Sequence, residues 1–151
     1  MSQLTTYSGI DVNCTLQDAA YGTIQFGGVS QTGLASITVR MTLDHATIQG
    51  GMDGAAVPSY IPGEWGEIDI ELWQTSTTQQ DFVEAYNQLL VAARAADVSN
   101  QFSGTLLIVQ STTGDTHTCN GVAFTKVPDK SYAEQAGRVR WSLKACDIVS
   151  E

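Results

Sequence analysis

The sequence predicts an α+β protein that is mainly β: an antiparallel β-sandwich or barrel of about seven strands, with one amphipathic helix and one long inter-strand loop. Three observations lead there. Apolar and polar residues alternate with period two through most of the chain, which is the mark of half-buried strands. A single segment, "TSTTQQDFVEAYNQLLVAARAADVSN", changes to helical spacing. Finally, Gln49 to Gly66 holds five glycines, two prolines, a Tyr and a Trp, which reads as a loop far longer than the usual two to six residues.

The first strand is "IDVNCTL", with Ile10, Val12, Cys14 and Leu16 on one face and Asp11, Asn13 and Thr15 on the other. "YGTIQF" follows, bounded by Gly27 and Gly28. In "SITVRMTL", Ile37, Val39, Met41 and Leu43 alternate with Ser36, Thr38, Arg40 and Thr42. The long loop is placed at about 47–66. Asp53-Gly54 within it is a turn pair, Gly supplying positive φ. "EIDIELW" then sets Ile68, Ile70 and Leu72 opposite Glu67, Asp69 and Glu71. Helix is expected over about 78–97, with Phe82, Val83, Tyr86, Leu89, Leu90 and Ala93 on one stripe. Ser76 and Thr77 are each followed by Gln three residues on, a capping-box spacing. "GTLLIVQS", "HTCNGVAFTKV" (bent at Gly121) and "RVRWSLKA" complete the strands, the last with Val139, Trp141, Leu143 and Ala145 inward. No repeat, low-complexity tail or linker divides the chain, so residues 1–151 are taken as one domain.

Composition narrows the function. Hydrophobic residues make up 42% of the 151, enough for a core, while charged residues are only 15% against a usual ~25%. A surface built from Thr, Gln, Ser and Asn suits a chain that buries much of itself against its own copies. The net charge is −9 and the pI about 4.4. Nucleic-acid binding through phosphate neutralisation needs a basic patch, and this balance opposes it. Cys14, Cys119 and Cys146 are scattered and odd in number, and are expected as three buried free thiols in a reducing cytosol. "MSQLTTYSGI" has no basic or apolar signal region, and the run "LLIV" is far too short for a membrane helix. "NCT" at Asn13 is an accidental sequon match on a strand.

Chemistry finds little support. His45 and His117 have no evident catalytic partners, and His117-x-Cys119 lacks a second pair to complete zinc coordination. No nucleophile elbow, metalloprotease, phosphate-loop or dinucleotide motif occurs, and "FGGVSQTG" is an inter-strand turn. No enzyme activity, metal or cofactor is expected. Glu67, Asp69 and Glu71 place three acids on one strand face about 7 Å apart. They are a solvated strand face, a ladder paired with Arg40, Arg138, Arg140 and Lys144, or part of the acidic lining of a channel.

The order of segments resembles a known family. "YSGIDVNCTL", "GTIQFGG", the "GGMDGAAVPS" loop, "IDIELWQTST" entering a helix, and the ending with Pro128, Tyr132, Ala133 and Trp141 resemble the tail tube proteins of contractile-tailed bacteriophages, over essentially the whole chain. The resemblance implies a structural virion protein of stacked hexameric rings, whose strands join into an inner barrel conducting DNA during ejection. It implies assembly in the host bacterial cytoplasm and residence in the virion tail. Sheath, baseplate and tail terminator proteins are the implied partners, with the tape measure protein and DNA held unspecifically in the lumen and no membrane. The loop would reach toward the next ring, making Met52, Asp53, Ala55, Val57, Tyr60, Ile61 and Trp65 inter-ring interface residues. Glu67, Asp69 and Glu71 become candidate lumen acids, and Asp81, Glu84, Gln88 and Arg94 the outer helix face turned to a sheath. Two alternatives are carried: the tube of a phage-derived secretion or injection device, and a carbohydrate- or peptide-binding β-sandwich stacking sugars on Trp65, Tyr60 and Trp73.

Overall fold

The computed structural model describes residues 6–28, 33–95 and 102–151. Nine strands and one long helix form among them. They are β1 (Val12–Asp18), β2 (Gly22–Gly27), β3 (Leu34–Met41), β4 (Ala46–Gly50), β5 (Ala56–Tyr60), β6 (Gly66–Trp73), α1 (Thr77–Arg94), β7 (Gly104–Gln110), β8 (Thr116–Phe124) and β9 (Arg138–Ser150). Seven of the strands make one sheet in the order β2-β1-β7-β8-β9-β6-β3, every neighbouring pair antiparallel. The sheet curls into a half-barrel. It is therefore one curved layer closed over by a helix, and among the described residues its outermost strands, β2 and β3, each pair with one neighbouring strand only.

Period-two patterning decides which side faces in. Cys14 and Leu16 of β1 stand beside Phe26 and Ile24 of β2 and beside Ile108 and Leu106 of β7, and all six are buried. Ile68, Ile70 and Leu72 pair with Leu143, Trp141 and Val139 on the same concave side. α1 lies in that concavity. Ser76 caps its first turn by accepting the Gln79 N–H at 3.2 Å, as the capping spacing predicts. Phe82 is fully buried and meets Phe26, Phe124 and Trp141 edge-on, with ring centroids 5.3–5.7 Å apart. Edge-to-face aromatic pairs add about 0.5–1.5 kcal/mol beyond simple burial. This cluster locks the helix to both halves of the sheet.

Some expectations need correcting. Residues 9–11 are a short 3-10 turn, so Ile10 leaves the inner face and is 57% exposed. The expected helix end at 96–97 lies outside the described residues. Cys14 and Cys119 are buried as predicted, but Cys146 is exposed. With Val139, Trp141, Leu143 and Ala145 facing in, alternation itself sends residue 146 outward. The bend at Gly121 is present: its φ is +66°, and Cys146 Cβ and Sγ lie 3.0 Å from where a Cβ would sit. At this point the inward phase steps by one residue in both strands, from Cys119 to Val122 in β8 and from Ala145 to Ile148 in β9.

Candidate assembly surfaces

The segment expected to be an irregular loop is largely a β-hairpin. β4 and β5 pair antiparallel in the register Ala46–Tyr60, Ile48–Pro58 and Gly50–Ala56 on one face, and Thr47–Ser59 and Gln49–Val57 on the other. The ribbon is thus two-faced. One side carries Ala46, Ile48, Ala56, Pro58 and Tyr60; the other is mostly polar. Nothing in the described residues covers the apolar side: Ile48 is 74% and Tyr60 73% exposed. At the tip, Asp53 Oδ1 accepts the Ala55 N–H at 3.0 Å, Gly54 takes φ +86°, and Met52 is wholly exposed. An isolated two-stranded hairpin is marginal in water, because one pair of strands buries almost nothing. Of the residues named from sequence, Met52, Asp53, Ala55, Val57 and Tyr60 lie on this arm. Ile48 and Pro58 were missed, although "ATIQG" already shows alternation.

Ile61 and Trp65 lie below the hairpin, in the strap that returns to the sheet. The Ile61 N–H donates to His45 O at 2.7 Å, and Thr42 N–H approaches Trp65 O at 3.4 Å. Between these ties the His45 ring hydrogen-bonds the Gly63 carbonyl. A carbonyl only accepts, so Nε2 carries the hydrogen. The Ile148 N–H of β9 donates to Glu64 O at 2.8 Å, fastening the strap to the body.

The convex face of β3, β6 and β9 carries a charge ladder. Arg40 reaches Glu67 at 3.0 Å and Asp69 at 2.6 Å; Arg140 reaches Asp69 at 2.8 Å; Arg138 reaches Glu71 at 3.6 Å. Ser142 also donates to Asp69, at 2.9 Å. Lys144 stands opposite Glu67 in the register. Asp69 is only 4% exposed beneath the two guanidinium groups. Its burial works to raise the pKa, but hydrogen bonds from Arg140 and Ser142 and the charges of Arg140 and Arg40 outweigh that and hold it below 3.8. The paired-ladder alternative is the arrangement found, so these acids do not form a bare negative strip. Four of the chain's seven basic residues oppose three of its sixteen acids here. Three basic residues and thirteen acids remain elsewhere, and the acidity of the protein lies off this face. Farther along the convex side, Asn13, Thr15, Gln17, Thr23, Gln25, Thr105 and Thr118 carry no charge at all.

The remaining named residues are dispersed. Asp81, Glu84, Gln88 and Arg94 are all exposed on α1, away from the sheet. Trp65 and Trp73 flank opposite ends of β6, about 25 Å apart at ~3.3 Å per residue. The Arg138 guanidinium covers the Trp73 ring at 4.9 Å. Tyr60, Trp65 and Trp73 therefore share no sugar-stacking platform. His117 Nδ1 is 2.8 Å from Ser150 Oγ. Among the described residues, no group of three or more His, Cys, Asp or Glu side chains converges to hold a metal, and no helix is long and apolar enough to cross a membrane.

A curled sheet, a helix in its concavity and an uncovered arm between the third strand and the acidic strand agree with the arrangement expected from the resemblance. The model of the bacteriophage PhiTE tail tube protein family matches residues 4–150. The chain belongs to that family. It is thus a structural tail tube subunit by family membership. Solved structures agree on the fold. A chain of the sheath/tube terminator of the PVC extracellular contractile injection system, in its extended state, superposes with TM-score 0.59 at 10% identity, covering 100% of this chain and 98% of that one. A chain of the PVC sheath-tube complex gives 0.56 at 10%, covering 93% and 87%. A chain of the anti-feeding prophage baseplate gives 0.57 at 10%, covering 100% and 97%. Comparison with curated proteins gives no match.

Proposed function

We propose that this tail tube subunit closes into hexameric rings through its β2 and β3 edges, and that the β4–β5 arm seats its apolar face on a subunit of the next ring. The observation carrying this reading is the arm itself, an ordered amphipathic ribbon whose apolar side meets solvent in the single chain. The outermost positions of β2 and β3 in the sheet add to it, since outer strands are templates for pairing with another chain. Head-to-tail contacts of this kind close into rings or run on as stacks, according to the rotation they impose.

The bore would hold the tape measure protein and then pass DNA without binding it. Lined by the convex ladder face, it would present Glu67 and Glu71 bound to arginines and Asp69 buried, giving a neutralised wall. Lined elsewhere, it would draw on the unpaired acids. The exposed face of α1, with Asp81, Glu84, Gln88 and Arg94, is the surface offered to a sheath, while baseplate and terminator proteins would cap the stack. The subunit would act as structure only, with no enzymatic step, and assemble in the host bacterial cytoplasm. The tube of a phage-derived injection device would use the same surfaces and differ in cargo.

Electron microscopy of purified protein tests the arm directly. Wild-type protein is expected to form stacked tubes, and Ile48→Asp to stop at single rings. Tubes of unchanged length from Ile48→Asp would overturn the arm's assignment.

A further inference from the structure

The hydrogen bonds that fasten the arm to the described body lie at its root, so that is where its direction is set. Two straps join it to the sheet, residues 42–45 and 61–65. They are tied to each other at the top by Ile61 N–H to His45 O and at the bottom by Thr42 to Trp65 O. Between the ties, the His45 ring binds the Gly63 carbonyl and lies 5.8 Å from the Tyr60 ring at the base of β5. Gly63 takes φ +148°, a conformation that L side chains rarely adopt. A Cβ there would fall 2.5 Å from Cζ3 of Trp65 and 2.8 Å from Cδ2 of Leu43, so the indole and the leucine close around bare backbone. Glu64 O is held in turn by the Ile148 N–H, at the place where β9 steps in phase.

We infer that His45, Gly63 and Trp65 form a knuckle that fixes the direction of the β4–β5 arm against the sheet, presenting it to a second copy of this chain in one orientation. The inference rests on the arm being the stacking element proposed above, and it gives Trp65 a different task from that of the arm's own contacts. Trp65 positions the arm by packing on Gly63. A pre-set arm loses little conformational freedom on docking, which is the general advantage of preorganisation. A loosely hinged arm would lose that freedom ring by ring.

Pulsed electron–electron distance measurement on dispersed chains tests this. Spin labels are placed on the exposed native Cys146 and on Met52→Cys, while burial shields Cys14 and Cys119. The parent is expected to give one narrow distance distribution. Gly63→Ala and His45→Ala should broaden it or move it by several Å, and Gly50→Ala, whose methyl meets nothing within 4 Å, should leave it unchanged. His45→Ala keeps the test valid if Gly63→Ala fails to fold. A broad distribution in the parent, or a narrow unchanged one in both knuckle variants, would overturn the knuckle. Tube assembly of the same unlabelled variants separates the two ideas: a displaced arm with undiminished tubes leaves the knuckle standing and sinks the stacking role.

Discussion

At the residue scale, Asp69 shows how a charge becomes structural. Its carboxylate lies almost wholly covered between Arg40, Arg140 and Ser142. The period-two pattern placed it on the outward face, yet could not show that two arginines would close over it, because that depends on β3 and β9 flanking β6. Replacing Asp69 by Asn keeps the shape but removes the charge that both arginines face. Chemical denaturation should show a loss of about 2 kcal/mol, typical of hydrogen bonds to charged groups. The sign of the pH effect follows from its lowered pKa. The stabilisation is complete above the ordinary carboxylate value near 3.8 and is lost as pH falls through the lower folded value. The difference in stability between wild type and Asp69→Asn should therefore shrink below pH 4. The thiols give a second residue-level test. Burial raises Cys14 to about 12 and Cys119 to about 11, with Asp147 adding to the latter. Ellman's reagent should modify Cys146 alone in the native chain, and all three cysteines after unfolding.

At the element scale, the seven strands of the main sheet and the helix were legible because each follows one periodicity over most of its length, the phase step in β8 and β9 apart. Ser76 announced the helix start through its spacing to Gln79. The arm departs from the expected loop because glycine and proline density masks a weaker signal, the alternation of Ala46, Ile48 and Gly50 with Thr47 and Gln49, and of Ala56, Pro58 and Tyr60 with Val57 and Ser59. Proline is tolerated there because a two-stranded ribbon has only edges. Ile48→Asp should leave the melting temperature of the single chain nearly unchanged, since exposed positions usually shift stability by no more than about 0.5 kcal/mol. Phe82→Ala should behave in the opposite way. Emptying the space between Phe26, Phe124 and Trp141 is expected to cost about 3–5 kcal/mol, measurable in urea.

At the scale of the whole molecule, charge and topology act together. Thirteen acids stand outside the ladder against three basic residues, so neighbouring copies repel over long range while their apolar faces and edges attract at contact. Screening shortens that repulsion to about 8 Å at physiological ionic strength. Assembly, followed by light scattering, should therefore speed up as salt rises from 10 mM to 200 mM. Slower growth with added salt would mean that ion pairs between copies dominate instead. The sequence conveyed the sign of this balance but not its distribution, since the ladder gathers most of the basic residues only after three distant strands meet.

Alternation leaves Cys146 standing on the convex side of the sheet, one residue past Ala145 of the core and just where β8 and β9 step in phase. In the proposed assembly, where copies leave that side open, Cys146 would repeat along one wall. A small maleimide is then expected to react with it on either wall, whereas a polymer-linked maleimide too bulky for a narrow conduit would react only if that wall forms the exterior. Comparing the two reagents on intact particles would tell inner surface from outer without a single substitution.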